Sequence, residues 1–172
     1  MTEDNGERLE QNEREPEMSL SGRTAVTGLF GGIFWSLLGY IAYLLNFTSL
    51  SPSLVLGPWA VGDWKTGQLG HIIGIIVIGL LSILAAFIYY ALLKNIKNMW
   101  GGLLFGAGLF LLVFFVLNPL FPNLENIGEL DQNTLFTTVA LYLLYGVFIG
   151  YSISYENNEL MNARRQPGYS NE

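Results

Sequence analysis

The chain has 172 residues, 51% hydrophobic and 13% charged, with a formal net charge of −6 and no cysteine. Soluble domains carry about 25% charged residues, so this composition points to a membrane protein; the lack of cysteine excludes disulfides, thiolate metal sites and a cysteine nucleophile. Half of the 14 acidic residues fall in the first 17 positions, and the eight Lys and Arg form no basic patch for nucleic acid.

Residues 1–22, MTEDNGERLEQNEREPEMSLSG, are dense in charge and poor in apolar groups. Such a segment cannot bury enough surface to offset its ordering entropy, so it is expected to be a disordered acidic tail, either solvated or docking a cytoplasmic partner. It is too polar for a signal peptide. A first apolar run covers about 25–45, AVTGLFGGIFWSLLGYIAYLL. The second, Gly67 to Leu93, carries no charge and is bracketed by Lys65 and Lys94. As a helix rising about 1.5 Å per residue it reaches roughly 40 Å, more than the ~30 Å hydrocarbon core of a bilayer. Further runs lie at about 101–118 and 134–154, each near the ~20 residues a spanning helix needs. The expected fold is an all-α membrane protein: a four-transmembrane-helix bundle over 23–155, with a short tail over 156–172.

Four spans place both termini and the 93–100 turn on one side. Arg8, Arg14, Arg23, Lys94, Lys97, Arg164 and Arg165 fall there, against Lys65 alone on the other. Cytoplasmic segments carry the excess of Lys and Arg, so both termini are expected in the cytoplasm of a plasma-membrane protein. Arg23, just before the first span, is the best-placed anchor. The longer outer loop, 46–66, is too apolar to be freely solvated. Trp59 and Trp64 suit the headgroup layer, and with Lys65 they form a candidate interaction surface. Pro52, Gly57 and Pro58 break any long helix there. The shorter loop, 119–133, is acidic, and Asn118-Pro119 reads as a helix stop. Asn46-Phe47-Thr48 matches a glycosylation acceptor at a span end.

Every span holds a Gly-x-x-x-Gly pair: Gly28/Gly32, Gly70/Gly74, Gly102/Gly106 and Gly146/Gly150. Glycines four apart let another backbone approach closely, as helix packing, as a homodimer seam, or as flexibility for transport. Polar residues also share faces: Ser36, Tyr40 and Tyr43 on the first span; Gln68, His71, Ser82 and Tyr89 on the second; Thr134, Thr138, Tyr142, Tyr145 and Ser152 on the fourth. Lipid offers them no partner, so these faces are expected to meet inside the bundle, as interhelical hydrogen bonds or around a small polar cavity. His71, the single histidine, suits a structural, a proton-linked or a metal-ligand role, though too few other ligands stand near it to build a metal site. No Asp, Glu, Lys or Arg lies inside these spans, which argues against ion-coupled exchangers, proton pumps and voltage sensors. No hydrolase or nucleotide-binding motif is present. No catalytic residue, metal or cofactor is expected. Two functions fit: a non-catalytic packing partner for itself or another membrane protein, or a permease subunit moving a small neutral solute through a Tyr/Thr-lined cavity.

FWSLLGYIAYLLNFTSLSPSLVLGPWAVGDWKTG (34–67), IYYALLKNIKNMWGG (88–102), VFFVLNPLFP (113–122) and LYGVFIGYSISYENNE (144–159) resemble the YqhR family. Its members are small conserved membrane proteins of spore-forming Gram-positive bacteria. The resemblance covers roughly 20–159 and implies a multi-pass plasma-membrane protein without an assigned activity. It marks Asn46, Pro58, Trp59, Gly62, Trp64, Lys65, Asn118, Pro119 and Pro122 as family-pattern positions. The threading has a direct test, since the native chain has no cysteine to interfere. A cysteine at Ser51 is expected to react with an impermeant maleimide on intact cells, and one at Asn95 only after lysis. The reverse pattern would invert the topology.

Overall fold

The computed structural model describes residues 19–93, 96, 99–121 and 124–165, excepting the side chains of 99 and 159–165. The expected acidic tail lies outside them as far as residue 18. Four helices follow in chain order: α1 Leu20–Leu44, α2 Gln68–Leu93, α3 Met99–Leu111 and α4 Gln132–Arg165. All four are long and apolar enough to cross a membrane, α3 by continuing through its terminal turns to Leu120. No strand occurs among the described residues.

Local chemistry sets the ends. Ser19 caps α1, its hydroxyl accepting from the Gly22 N–H at 3.2 Å. The helix therefore starts inside the segment expected to be tail, with Arg23 in its first turn and not ahead of it. α1 stops at Asn46, whose φ of 58° is left-handed. There Phe47 N–H bonds Ala42 C=O at 2.9 Å and Asn46 N–H bonds Tyr43 C=O at 3.1 Å. That pair of bonds is a Schellman stop, and Asn tolerates the backbone it needs. Asn46 thus has a structural reason independent of glycosylation. Beyond Leu111 the helix widens into a π turn, Leu112–Leu117, then tightens into a 3₁₀ turn, Asn118–Leu120. Pro119 accounts for the break, since it gives no N–H and its ring crowds the carbonyl four residues back. Asp131 caps α4 by accepting from the Thr134 N–H at 3.0 Å. Thr134, through its hydroxyl and then its backbone N–H, holds this exposed carboxyl below its ordinary 3.8, so at neutral pH the cap is an anion on the positive end of the helix. α4 runs on to Arg165, into the segment expected to be a C-terminal tail, and carries half-buried Glu156 beyond the expected end of the fourth span.

α1 and α2 form one antiparallel hairpin and α3 and α4 another, and α4 also packs on α1 and α2. α3 has α4 as its main neighbour, so the bundle is lopsided. Two ends can be distinguished: a terminal end with the start of α1, the end of α2, the start of α3 and the end of α4, and a loop end with 45–67, 118–121 and 124–131. The apolar core lies toward the terminal end, where Ala86 and Tyr89 of α2, Phe105 of α3, and Tyr145, Ile149 and Ile153 of α4 interlock.

Backbones touch in both hairpins. A Cβ built on Gly28 would lie 2.8 Å from Ala86 Cβ and 3.0 Å from Ile83 Cα; one on Gly32 would lie 2.8 Å from Gly79 Cα. Between α3 and α4, a Cβ on Gly102 would meet Gly146 O at 2.6 Å, one on Gly146 would meet Gly106 Cα at 2.5 Å, and one on Gly150 would meet Gly102 Cα at 2.6 Å. The Gly146/Gly150 face, considered above as a homodimer seam, is occupied by α3 of the same chain. Gly70 and Gly74 differ from expectation, because they seat loop backbone and not a helix. Gly70 lies against Lys65, and a Cβ on Gly74 would come within 2.7 Å of the Pro52 carbonyl carbon. Gly146→Ala is expected to lower unfolding stability by about 1–3 kcal/mol, since neither backbone can yield locally. Gly108→Ala, where an added Cβ meets nothing within 4 Å, is expected to be neutral or stabilising. Equal unfolding midpoints for the two variants in detergent would refute the close α3–α4 approach.

Candidate polar interior and loop-end cavity

Two hydroxyl nodes join the helices, one deep in the bundle and one at the terminal end, where Ile96 follows the end of α2. Ser82 Oγ donates to the Gly28 carbonyl of α1 at 2.6 Å and lies 2.5 Å from Tyr145 Oη of α4. A serine hydroxyl has one proton. With that proton on Gly28 O, Tyr145 must be the donor to Ser82. The second node has the same logic. Ser154 Oγ donates to Ile96 O at 3.2 Å, so Tyr89 Oη, also at 3.2 Å, donates to Ser154. Each chain of hydroxyls ends on a backbone carbonyl, which has two lone pairs and needs no proton. Such bonds contribute about 0.6 kcal/mol each, up to about 1.7, in membrane bundles.

The residues anticipated from the sequence separate into distinct groups. Gly28, Gly32, Ser82 and Tyr145 converge on the first node. Ser36 is buried but bonds Ile33 O of its own helix at 3.0 Å, so it joins no partner helix. Thr138 is buried on α4. Tyr142 is turned toward α3, its ring centroid 5.8 Å from Phe110 and 6.3 Å from Phe114. Gln68 is exposed and Ser152 half-buried. Near the loop end, Thr134 and Thr137 of α4 tie down the α1–α2 loop: Ser49 N–H donates to Thr134 Oγ1 at 2.8 Å and Thr137 donates to Phe47 O at 3.1 Å.

The reading of the sequence missed Gly79, Ala86 and Ser154. Gly79, Ser82 and Ala86 form a stripe of small residues spaced three and four apart on α2, and that spacing was the available signal. Ser154 was counted as the edge of a span and left unassigned.

His71 and Tyr40 meet at the loop end. The imidazole centroid lies 4.9 Å from the Tyr40 ring and 5.5 Å from the Tyr43 ring. His71 is 8% exposed, and its Nδ1 has no hydrogen-bond partner among the described residues. A buried polar atom left unpaired costs about 1–3 kcal/mol. Beside it lies a cavity of about 330 Å³, with Tyr43, Ser51, Ser53, Lys65, Thr66 and His71 as its polar lining. Lys65 donates to Ala60 O at 3.3 Å, and its half-buried side chain lines this cavity. Trp59 is 81% exposed and Trp64 44% exposed, so the three residues grouped above as one outer surface divide between surface and cavity. No cluster of three His, Asp or Glu residues able to hold a metal occurs among the described residues.

Ser82→Ala is expected to lower stability by about 1–2 kcal/mol, because it removes the bond to Gly28 O and leaves the Tyr145 hydroxyl only the long 3.5 Å approach to Ser82 O. Tyr145→Phe leaves the Ser82–Gly28 bond intact and is expected to cost only about 0.6 kcal/mol. A double-mutant cycle of unfolding in detergent checks the coupling. Simple additivity would dissolve the node.

No solved structure matches this chain. A Bacillus subtilis (strain 168) protein described as "Uncharacterized protein YqhR" is 52% identical over 156 residues, covering 88% of each chain. A family profile described as "Conserved membrane protein YqhR" matches residues 4–167, nearly the full length, so the chain belongs to the YqhR family of conserved membrane proteins.

Proposed function

We propose that this protein is a non-catalytic component of the bacterial plasma membrane that acts by docking, through its loop end, to a second membrane protein or another copy of itself. The observation that carries the reading is the contrast between the two ends of its polar inventory. Within the bundle and at its terminal end, the principal interhelical hydroxyls bond one another and end on carbonyls. At the loop end, Trp59 at 81% and Val61 at 91% exposure stand clear of the bundle. Aromatic residues free of their own fold and beside a polar rim are the side chains that interfaces favour. Both termini are taken to be cytoplasmic from the distribution of Lys and Arg, which puts the docking surface outside.

The permease alternative requires the polar faces of α1, α2 and α4 to enclose a connected wet path. Ser82 against Tyr145 and Gly28, and Tyr89 against Ser154, lie in direct contact, which weighs against it. The glycine faces are used within the chain, so docking falls to the loop surface.

The reading is tested with a photo-crosslinking phenylalanine analogue at Trp59, Val61 and, on the flank of α2, Leu92. Irradiation of native membranes is expected to give discrete protein adducts from 59 and 61 and a different pattern, dominated by lipid, from 92. Lipid adducts alone at 59 and 61 would defeat the proposal.

A further inference from the structure

The cavity at the loop end has a chemistry of its own. It is bounded by the start of α2, the 3₁₀ turn Pro52–Leu56 and the 3₁₀ turn Asp63–Thr66. Its volume of about 330 Å³ falls at the lower end of the ~300–1,000 Å³ that small-ligand sites occupy. Its polar lining is rich in donors and holds no carboxylate. Lys65 brings an ammonium with three N–H groups, of which the bond to Ala60 O at 3.3 Å uses one. Ser51 and Ser53 lie with their Oγ atoms 2.8 Å apart. That pair has two protons and spends one on its mutual bond, so one O–H is left to give. His71 contributes a buried wall whose Nδ1 is unpartnered among the described residues. Asp63, the nearest acid in sequence, is exposed and outside the lining.

We propose that this cavity binds one phosphate-class oxyanion. The charge decides between ligand types. A neutral polyol would satisfy the hydroxyls and leave the Lys65 ammonium without a counter-charge, whereas an oxyanion satisfies both. The field of α2 acts in the same direction, because the cavity sits at the start of a 26-residue helix and a helix N-terminus favours negative charge. Tyr40 and Tyr43 of α1 both pack against the imidazole, so the wall is set before the ligand arrives. The volume suits a phosphate with a small organic substituent. The same chemistry is offered by free phosphate and by the phosphodiester of a lipid headgroup, which the loop end of the spans would meet at the membrane surface.

This site is independent of the docking proposal above, and each can fail without the other. The test uses the full chain, delipidated in a phosphate-free maltoside detergent. One arm titrates inorganic phosphate against thermal unfolding. The other adds short-chain phosphatidylglycerol and counts retained molecules by native mass spectrometry. Stabilisation by phosphate with no retained lipid identifies a free-anion site; a retained lipid identifies a headgroup site; both support the proposal. Lys65→Gln, which keeps the stem and removes the charge, is expected to weaken binding by about tenfold or more. The double change Ser51→Ala/Ser53→Ala is expected to weaken it several-fold, and decides the matter if Lys65→Gln does not fold. The proposal is overturned if neither probe binds, if the folded variants bind as wild type does, or if glycerol binds as tightly as phosphate.

Discussion

A hydrocarbon interior cannot hydrogen-bond, and this constraint governs how the hydroxyls that join the helices are arranged. Polar groups that enter the bilayer must bring their partners with them. The protein meets this with chains of donors that end on acceptors. Tyr145 gives its proton to Ser82, which gives its own to Gly28 C=O. Tyr89 gives to Ser154, which gives to Ile96 C=O. Neither chain ends on a group with a proton still to place. This also explains how Tyr145 and Ser82 are accommodated deep in the bundle.

The nodes depend on the glycines. A serine side chain is short, and Ser82 can reach a carbonyl on α1 only because Gly28 and Gly32 let that backbone come close. A Cβ at Gly28 would sit 3.0 Å from Ser82 O, so a larger residue there would push apart the surfaces that the hydrogen bond joins. Glycine packing and polar satisfaction are therefore one device in this hairpin. In the α3–α4 hairpin the same close approach occurs without a hydroxyl bridging the two helices, and aromatic rings fill the space toward the loop end. Phe110, Phe114 and Tyr142 pack there, with Phe110 and Phe114 centroids 4.7 Å apart.

Much of the fold could be read from residue order because a bilayer simplifies the problem. Length and the absence of charge identified the four helices, and period 3.6 placed Gly28, Gly32, Ser82 and Tyr145 on faces that meet. The boundaries were less legible. α1 begins at Leu20 because Ser19 can cap it, and α4 runs past residue 154 because nothing in SYENNEL breaks a helix; hydropathy registers neither fact. The roles of Gly70 and Gly74 were hidden for a different reason. A close-approach motif gives the size of the gap and not what fills it, and here loop backbone at Lys65 and Pro52 fills it. Ser36 shared the polar face of α1 but satisfied itself on Ile33 O. A serine that bonds its own preceding turn is common in helices, and a face diagram cannot separate that outcome from an interhelical bond.

Those two glycines also explain why the loop end differs from the rest of the molecule. By admitting backbone at Lys65 and Pro52, they draw the α1–α2 loop down onto the start of α2 and bring Lys65, Ser51 and Ser53 together beside His71. A larger residue at either position would lift the loop and disperse the cavity lining. The spare donors at Lys65 and at the Ser51–Ser53 pair are therefore not an accident of a loose loop. They are held in place by the same kind of close backbone approach that, deeper in the bundle, brings Ser82 within reach of the Gly28 carbonyl. What differs is the solvent: at depth an unused proton has no alternative partner, while at the loop end water or a ligand can take it. Spare hydrogen-bonding capacity thus costs less at this end, and recognition chemistry can sit there without destabilising the spans.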